Sequence, residues 1–404
     1  MQRFRTEIGL LLACVAVVVV THLVSGAYGA DKAERNVQEV IRKASILGTF
    51  ALGAGVVIIA GGIDLSAGSV IALSATVFAS VCFAFAPLDE FGQPATESLS
   101  TGTLMLAMLA VLAVALAIGA FHAWLITAVR LPPFVATLAS LVGLRSIAQL
   151  LVRQVDGSVR GAANGRTKIS IADETFAFWG TDYRVPLIAF AVFAIGLAIL
   201  LRLTVAGRHV YAVGGNEEAA RLSGIRTDRV KWLVYTISSV TAAAAGVLYG
   251  AYAGVASPGT LGLGYELNAI AAAVVGGCAL TGGLGSVTGM ALGALFLVLV
   301  IDLVAKVAST GQFAVSQSDF EGSVVGLLVI LAVAVNQLRQ QGGARMQLFA
   351  GPLGLIAIGL LTALVGLMAL LLSRGDVATT TIAALVTLGL CVARCLYERR
   401  SRAS

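Results

Sequence analysis

The chain has 404 residues, of which 58% are hydrophobic and only 12% charged, with a formal net charge of +6 and a mean hydropathy of +0.94. That balance excludes a soluble globular domain and indicates a polytopic membrane protein. The basic residues gather in a few loops, which is the positive-inside bias of membrane proteins and not the footprint of a nucleic-acid binder.

A spanning helix needs roughly 20 mostly apolar residues. Apolar runs of about that length predict spans at 8–25, 46–62, 68–87, 102–128, 134–152, 185–201, 231–256, 268–282, 285–305, 320–337, 352–373 and 377–397. The fold class expected is all-α: about ten core transmembrane helices, some broken or re-entrant, plus two extra C-terminal spans. The first run follows Arg3 and Arg5 and precedes small residues at Ser25–Ala30. It reads as an uncleaved first span, with a secretory signal as the alternative.

Between the second and third runs stands Gly61-Gly62-Ile63-Asp64-Leu65-Ser66-Ala67-Gly68-Ser69. Backbone that leaves the helix at membrane depth is tolerated only inside protein or beside a wet cavity, and an ionisable residue there is a functional-site candidate. The stretch reads as a broken helix on a solute pathway. Gly62, Asp64 and Ser66 are its candidate residues. Asp64 or Ser66 can equally cap the helix that follows.

Pro132-Pro133 must break any helix between the runs 102–128 and 134–152. Arg145 falls inside the second of these, so its guanidinium needs a partner or a wet cavity. Gly246, Gly250 and Gly254, and then Gly285, Gly289 and Gly293, recur every fourth residue, a spacing that lets helix backbones approach closely. The short run 268–282 is a candidate re-entrant segment. Asp302 and Lys306 stand four apart, the spacing of an ion pair on one helix.

The segment Arg202–Lys231 is the most basic loop, and Leu88–Thr101 carries only acidic charges. The first is expected in the cytoplasm and the second outside. Counting spans from a cytoplasmic N-terminus puts both there, and puts the Arg399-Arg400-Ser401-Arg402 tail inside. The basic loop holds Glu217-Glu218-Ala219-Ala220-Arg221-Leu222-Ser223-Gly224. Glu217 to Leu222 is predicted to form a short surface helix ended by Gly224, of a kind that fits a groove in a cytoplasmic partner. Its Glu218-Ala219-Ala220-x3-Gly224 spacing is that of permease subunits of ATP-driven importers.

Three blocks carry a family resemblance: Gly62–Ser69, the Gly214–Ile225 loop, and Gly264-Tyr265-Glu266-Leu267-Asn268-Ala269-Ile270-Ala271-Ala272 followed by Gly276-Gly277 and Gly282-Gly283-Leu284-Gly285-Ser286. Over roughly residues 36–338 the chain resembles the permease subunit of simple-sugar ABC importers of the ribose and xylose type. The resemblance implies a multi-pass protein of the bacterial inner membrane. It further implies a cytoplasmic ATP-binding subunit, a periplasmic or surface solute-binding protein, and a second permease copy or homologue. Membrane lipid surrounds it, and no nucleic acid is implied. It assigns the ATPase-coupling role to Glu217, Glu218, Ala219, Ala220 and Gly224.

Two departures stand out. The family usually has Asp where this chain has Asn268, so a charge is lost near the external end of a short span. Residues 352–397 extend beyond the usual permease end, which divides the chain into a permease domain, 1–340, and an accessory two-span extension, 341–404.

No G-x-x-x-x-G-K-[ST] phosphate cradle occurs, so ATP must be bound by another polypeptide and the chain is not itself expected to be an enzyme. No cofactor or metal is expected. The five cysteines show no metal or disulfide spacing, and His22, His122 and His209 are isolated. The substrate-pathway candidates are Gly62, Asp64, Ser66, Arg145 and Asn268. Same-family importers of nucleosides, of a furanosyl signal or of branched-chain amino acids are the nearest alternatives. An ion-coupled secondary transporter also uses broken helices but needs no coupling loop, and a membrane enzyme would need clustered acid, base or metal groups.

Overall fold

The computed structural model describes residues 2–29, 31–90, 93–161 and 165–309, with positions 326, 330, 362, 381, 384–389 and 391–392 beyond them. Apart from those positions, the expected spans 320–337, 352–373 and 377–397 lie outside the described residues. The chain divides into two compact units, Met1–Val18 with Tyr28–Val300, and Val19–Ala27 with Ile301–Ser404. In the second unit Lys306 pairs with Asp302, as their spacing predicts. The first unit carries both helix breaks, the loops and helix α9 described below.

The described chain is helical, as the apolar runs require. Its long helices are α1 (Gln2–Ser25), α2 (Ala33–Ile59), α3 (Ala67–Ala84), α4 (Thr101–Thr127), α5 (Pro133–Arg160), α7 (Arg184–Leu203), α10 (Thr227–Ala253) and α12 (Val287–Ser309). The shorter helices are α6 (Glu174–Thr181), α8 (Val205–Gly215), α9 (Glu217–Leu222) and α11 (Tyr265–Val275). Among the described residues seven helices, α2, α3, α4, α5, α7, α10 and α12, are long and apolar enough to cross a membrane. Hydropathy marked only the apolar part of several. The run at 46–62 is the inner part of α2, whose first turns carry Glu34, Glu39, Arg42 and Lys43. The run at 134–152 continues as helix through Arg160. Pro133 starts α5 at a position where its missing N–H costs nothing.

The helices sort by burial. The apolar windows of α2, α3 and α10 are 78%, 89% and 67% buried, against 33%, 28% and 17% in α4, α5 and α7. Thus α2, α3 and α10 form the core, while α4, α5 and α7 turn much of their apolar surface outward, as lipid-facing helices do. Glycine sets the closest approaches. A methyl on Gly246 of α10 would lie 2.6 Å from the Ile71 carbonyl oxygen of α3, and one on Gly250 would lie 3.1 Å from Ala75. The third member of that row, Gly254, meets nothing and instead caps α10 in the left-handed region. In α12, Gly289 and Gly293 admit the carbonyl oxygens of Gly276 and Ala272 from the α11 side.

The two ends of the bundle segregate as the loop charges predict. At one end Leu99 donates its N–H to Asp173, and the pair β1 (Ile169–Ser170) and β2 (Val255–Ala256) forms an antiparallel ribbon in the register Ile169 to Ala256. At the other end Trp232 donates to Thr127, and Gly214 of α8 packs against Gly61 and Gly282.

Candidate functional site

The break between α2 and α3 is built by turn chemistry. The Gly61 N–H bonds Ile58 O at 2.9 Å and the Gly62 N–H bonds Val57 O at 2.9 Å. Those two bonds form a Schellman closure, which needs a left-handed residue after the cap. Gly61 supplies it with φ +81°. Gly62 follows with its α-carbon so close to Tyr235 that a methyl would lie 2.6 Å from the phenolic oxygen.

Asp64 then takes both roles available to a short carboxylate at a helix start. Its Oδ1 accepts from the Ser66 N–H at 3.0 Å and from Ser66 Oγ at 2.6 Å. Its Oδ2 accepts from Ser238 Oγ of α10 at 2.7 Å. The first bond is an Asx turn, a side chain bonding its own backbone two residues on. The capping is therefore done by Asp64, and Ser66 spends its hydroxyl on the carboxylate. Asp64 and Ser66 are 3% and 0% exposed, so in this conformation the turn is sealed in protein. Around it stand Tyr235, whose hydroxyl reaches Ile63 O at 3.4 Å, and His122, edge-on to the Tyr235 ring at 6.4 Å. His122 is fully buried and neither ring nitrogen has a hydrogen-bond partner.

A second break faces the first. Gly246 of α10 lies on Ile71, yet Gly262, beyond the end of α10, also lies against Ile71 and against the Gly68 carbonyl. The helix advances about 10 Å between Gly246 and Ala253 at 1.5 Å per residue, so the 257–264 segment folds back by that distance. Helix α11 starts from this in-folded loop. With 11 residues it is about 16 Å long, half of a hydrocarbon core of about 30 Å. The short run near 268–282 is thus a half-helix entered through a re-entrant loop. Asn268 lies in its first turn, two residues after Glu266.

Arg145 holds that loop. Its Nη1 donates to Pro258 O at 2.8 Å and Leu261 O at 3.0 Å, and its Nη2 donates to Gly262 O at 3.3 Å. Loop carbonyls at this depth have no water to bond, and a guanidinium offers several donors in one plane. One turn earlier on α5, Leu141 accepts from Ser69 of α3. Arg145→Leu should strand three buried carbonyls, at about 1–3 kcal/mol each, and Arg145→Lys should lose part of the set. Hydrogen exchange over residues 257–264 checks this, because protection unchanged in Arg145→Leu would show that the loop stands without the guanidinium.

At the opposite end, α9 forms as the sequence predicts. Asn216 caps it by accepting from the Ala219 N–H at 2.9 Å. Gly224, φ +83°, closes it through Gly224 N–H to Arg221 O at 3.0 Å and Ile225 N–H to Ala220 O at 3.1 Å. Ala220 is buried beneath it. Glu217 pairs with Lys231 at 2.5 Å, fixing α9 to the start of α10, while Glu218 grips Arg221 with both oxygens at 2.7 and 2.8 Å.

A family model described as "Branched-chain amino acid transport system / permease component" matches residues 36–333. The chain belongs to this family. The permease is also similar to the xylose transport system permease protein XylH of Haemophilus influenzae, 30% identical over 72% of this chain and 87% of the relative. It resembles the ribose import permease protein RbsC of Escherichia coli K12, 31% identical over 76% and 86% of the two chains. RbsC of Bacillus subtilis is 31% identical over 75% and 84%. No solved structure matches the chain.

Three features of the permease escaped its sequence. Leu222 is 80% exposed at the end of α9, an apolar side chain presented beside Glu218 and Arg221. Its place as the last residue of an amphipathic turn could have signalled it. Glu266 was visible only as part of a motif, yet it comes to lie against Gly68. His122 carried no pattern at all, since a lone histidine in an apolar run has no spacing to read.

Proposed function

We propose that the permease is the membrane subunit of an ATP-driven importer that carries a simple sugar of the ribose or xylose type across the bacterial inner membrane. The reading rests on the family, on the sugar permeases similar to it, and on one geometric observation: α9, capped at both ends and pinned by Glu217 to Lys231, leaves Glu218, Arg221 and Leu222 exposed on the most basic loop, the loop whose charge assigns it to the cytoplasm. A rigid, exposed two-turn knob on a basic loop suits a groove in an ATP-binding subunit. That subunit supplies the hydrolysis, a periplasmic or surface binding protein delivers the solute, and a second permease copy or homologue completes the path. The broken helix at Asp64 and the re-entrant loop at Arg145 supply the polar backbone that a hydroxyl-rich solute needs at membrane depth. Gly62, Ser66 and Asn268 stand on the same two breaks.

The reading is tested by purifying the chain with an ATPase and a binding protein and measuring ATP hydrolysis with and without ribose or xylose. Stimulation by either sugar supports it, and a sugar-independent rate contradicts it. In the same complex Glu218→Arg exchanges an ion pair for like charges beside Arg221, and Gly224→Pro removes the N–H that closes α9. Each variant should insert normally and lose at least about tenfold in ATPase co-purification, the equivalent of about 1.4 kcal/mol of binding. Wild-type co-purification in both would remove α9 from the docking surface.

A further inference from the structure

We infer that Glu266 is the residue through which the path recognises its solute, by accepting hydrogen bonds from the hydroxyls of a neutral polyol. The inference rests on the sugar-import reading above. Glu266 stands in the first turn of α11, and its carboxylate lies over Gly68 in the first turn of α3. The two motifs that flank the breaks therefore meet at one carboxylate.

That carboxylate is accommodated, and one of its oxygens is not consumed. A methyl on Gly68 would overlap Glu266 Oε2 and lie 2.6 Å from the Gly262 carbonyl oxygen, so the glycine is what leaves room for it. Glu266 Oε2 is shielded from solvent and has no hydrogen-bond partner. Each oxygen of an ionised carboxylate offers about two acceptor positions, and leaving those of Oε2 empty at depth is costly. Arg145 is within electrostatic reach, but its Nη1 and Nη2 donate to the three loop carbonyls. The negative charge is thus steadied by the backbone N–H groups of Glu266 and Gly264 and by the guanidinium field, while Oε2 keeps its own acceptor capacity open.

The position suits a solute contact. In the loop before Glu266 and in the residue after it, Gly259, Thr260, Leu263 and Leu267 are exposed. Leu263 and Leu267 are 66% and 54% exposed, an apolar rim against which the C–H faces of a sugar ring fit. Hydroxyls donate to a carboxylate with charge-assisted strength. An anionic solute such as a phosphorylated sugar would be repelled by the same group. Glu266 therefore selects neutral, hydroxyl-bearing solutes.

The test uses the complete importer with its binding protein saturated by each sugar in turn, so that delivery does not set the rate. The probes are ribose, xylose and their monodeoxy analogues. Wild type should import a parent sugar about ten- to a hundredfold faster than the analogue lacking the recognised hydroxyl. Glu266→Gln, at matched membrane abundance, thermal midpoint and ATPase co-purification, should lose most of that ratio and bring parent and analogue within about twofold. If wild type imports the parent sugars and Glu266→Gln keeps the wild-type ratio, this assignment is wrong and the importer reading stands. If wild type imports neither sugar, both fall. Where Glu266→Gln reduces abundance, Glu266→Asp provides the second readout: it keeps the charge, shortens the reach, and should change the ratio without changing co-purification.

Discussion

Gly214→Ala should abolish uptake and lower the thermal midpoint of the purified permease, while Gly215→Ala, one residue on, should leave both near wild type. The contrast follows from what surrounds each α-carbon. Gly214, the next-to-last residue of α8, lies against backbone from two other segments. A methyl there would overlap the Ile59 carbonyl oxygen and come within 2.6 Å of the Gly283 nitrogen. Those two groups bond each other at 2.8 Å, tying the end of α2 to the loop between α11 and α12. Backbone cannot rotate aside as a side chain can, so the substitution must separate the segments. Overpacking alone costs about 1–3 kcal/mol, and the lost buried bond adds about 1–3 kcal/mol. A methyl on Gly215 would meet nothing within 4 Å. The site stands just before α9, so the same junction joins α9 to the broken helix. Equal behaviour of the two variants in uptake and thermal denaturation would contradict this account.

Asp64→Leu should come next in severity, and Asp64→Asn should be milder. Leucine removes the acceptor for the Ser66 N–H, the Ser66 hydroxyl and the Ser238 hydroxyl together. Ser66 and Ser238 are both buried, and each stranded donor costs about 1–3 kcal/mol, so the start of α3 should fray and transport should fall at least about a hundredfold. Asparagine keeps one carbonyl oxygen for the turn and loses the charge, which leaves partial activity. Solute uptake at matched membrane abundance measures both. Labelling of Ser66→Cys reports whether the turn opens during the cycle. Ser66 is fully buried here, so reactivity should rise in complexes trapped with ATP or with loaded binding protein. Normal transport by Asp64→Leu, or a Ser66→Cys that never reacts, would take the turn off the path.

The sequence by itself determined whatever depends on neighbours along the chain. Apolar runs of membrane length fixed the helices, because an unpaired backbone group in lipid is too costly for any open alternative. Gly224 fixed a helix end, since its left-handed conformation is a local property of glycine, whereas the apolar run 46–62 carried on past Gly61, where α2 closes. The charges of Arg202–Lys231 and Leu88–Thr101 fixed which loops share a side, and the acidic-alanine segment ending at Gly224 fixed α9 to the residue. The helical extensions of α2 and α5 were missed because hydropathy records what the membrane sees, and a helix continues past it. Helices α6 and α8 were missed because they are short, and their start is set by single caps, Asp173 and Thr204.

Tertiary structure decided everything that needs two distant segments. Arg145 was readable as a charge requiring partners, but its partners are carbonyls of a loop that folds back only because α3, α5 and α10 shape the space for it. Glycine spacing announced close packing without naming a surface: Gly246 met Ile71, Gly289 met Gly276, and Gly254 met nothing. Gly68 and Glu266 stand in separate motifs, and nothing in either shows that one makes room for the other. Local hydrogen bonding and hydrophobicity are written residue by residue, whereas a site at the meeting of two broken helices exists only once long-range packing has brought both breaks to the same depth.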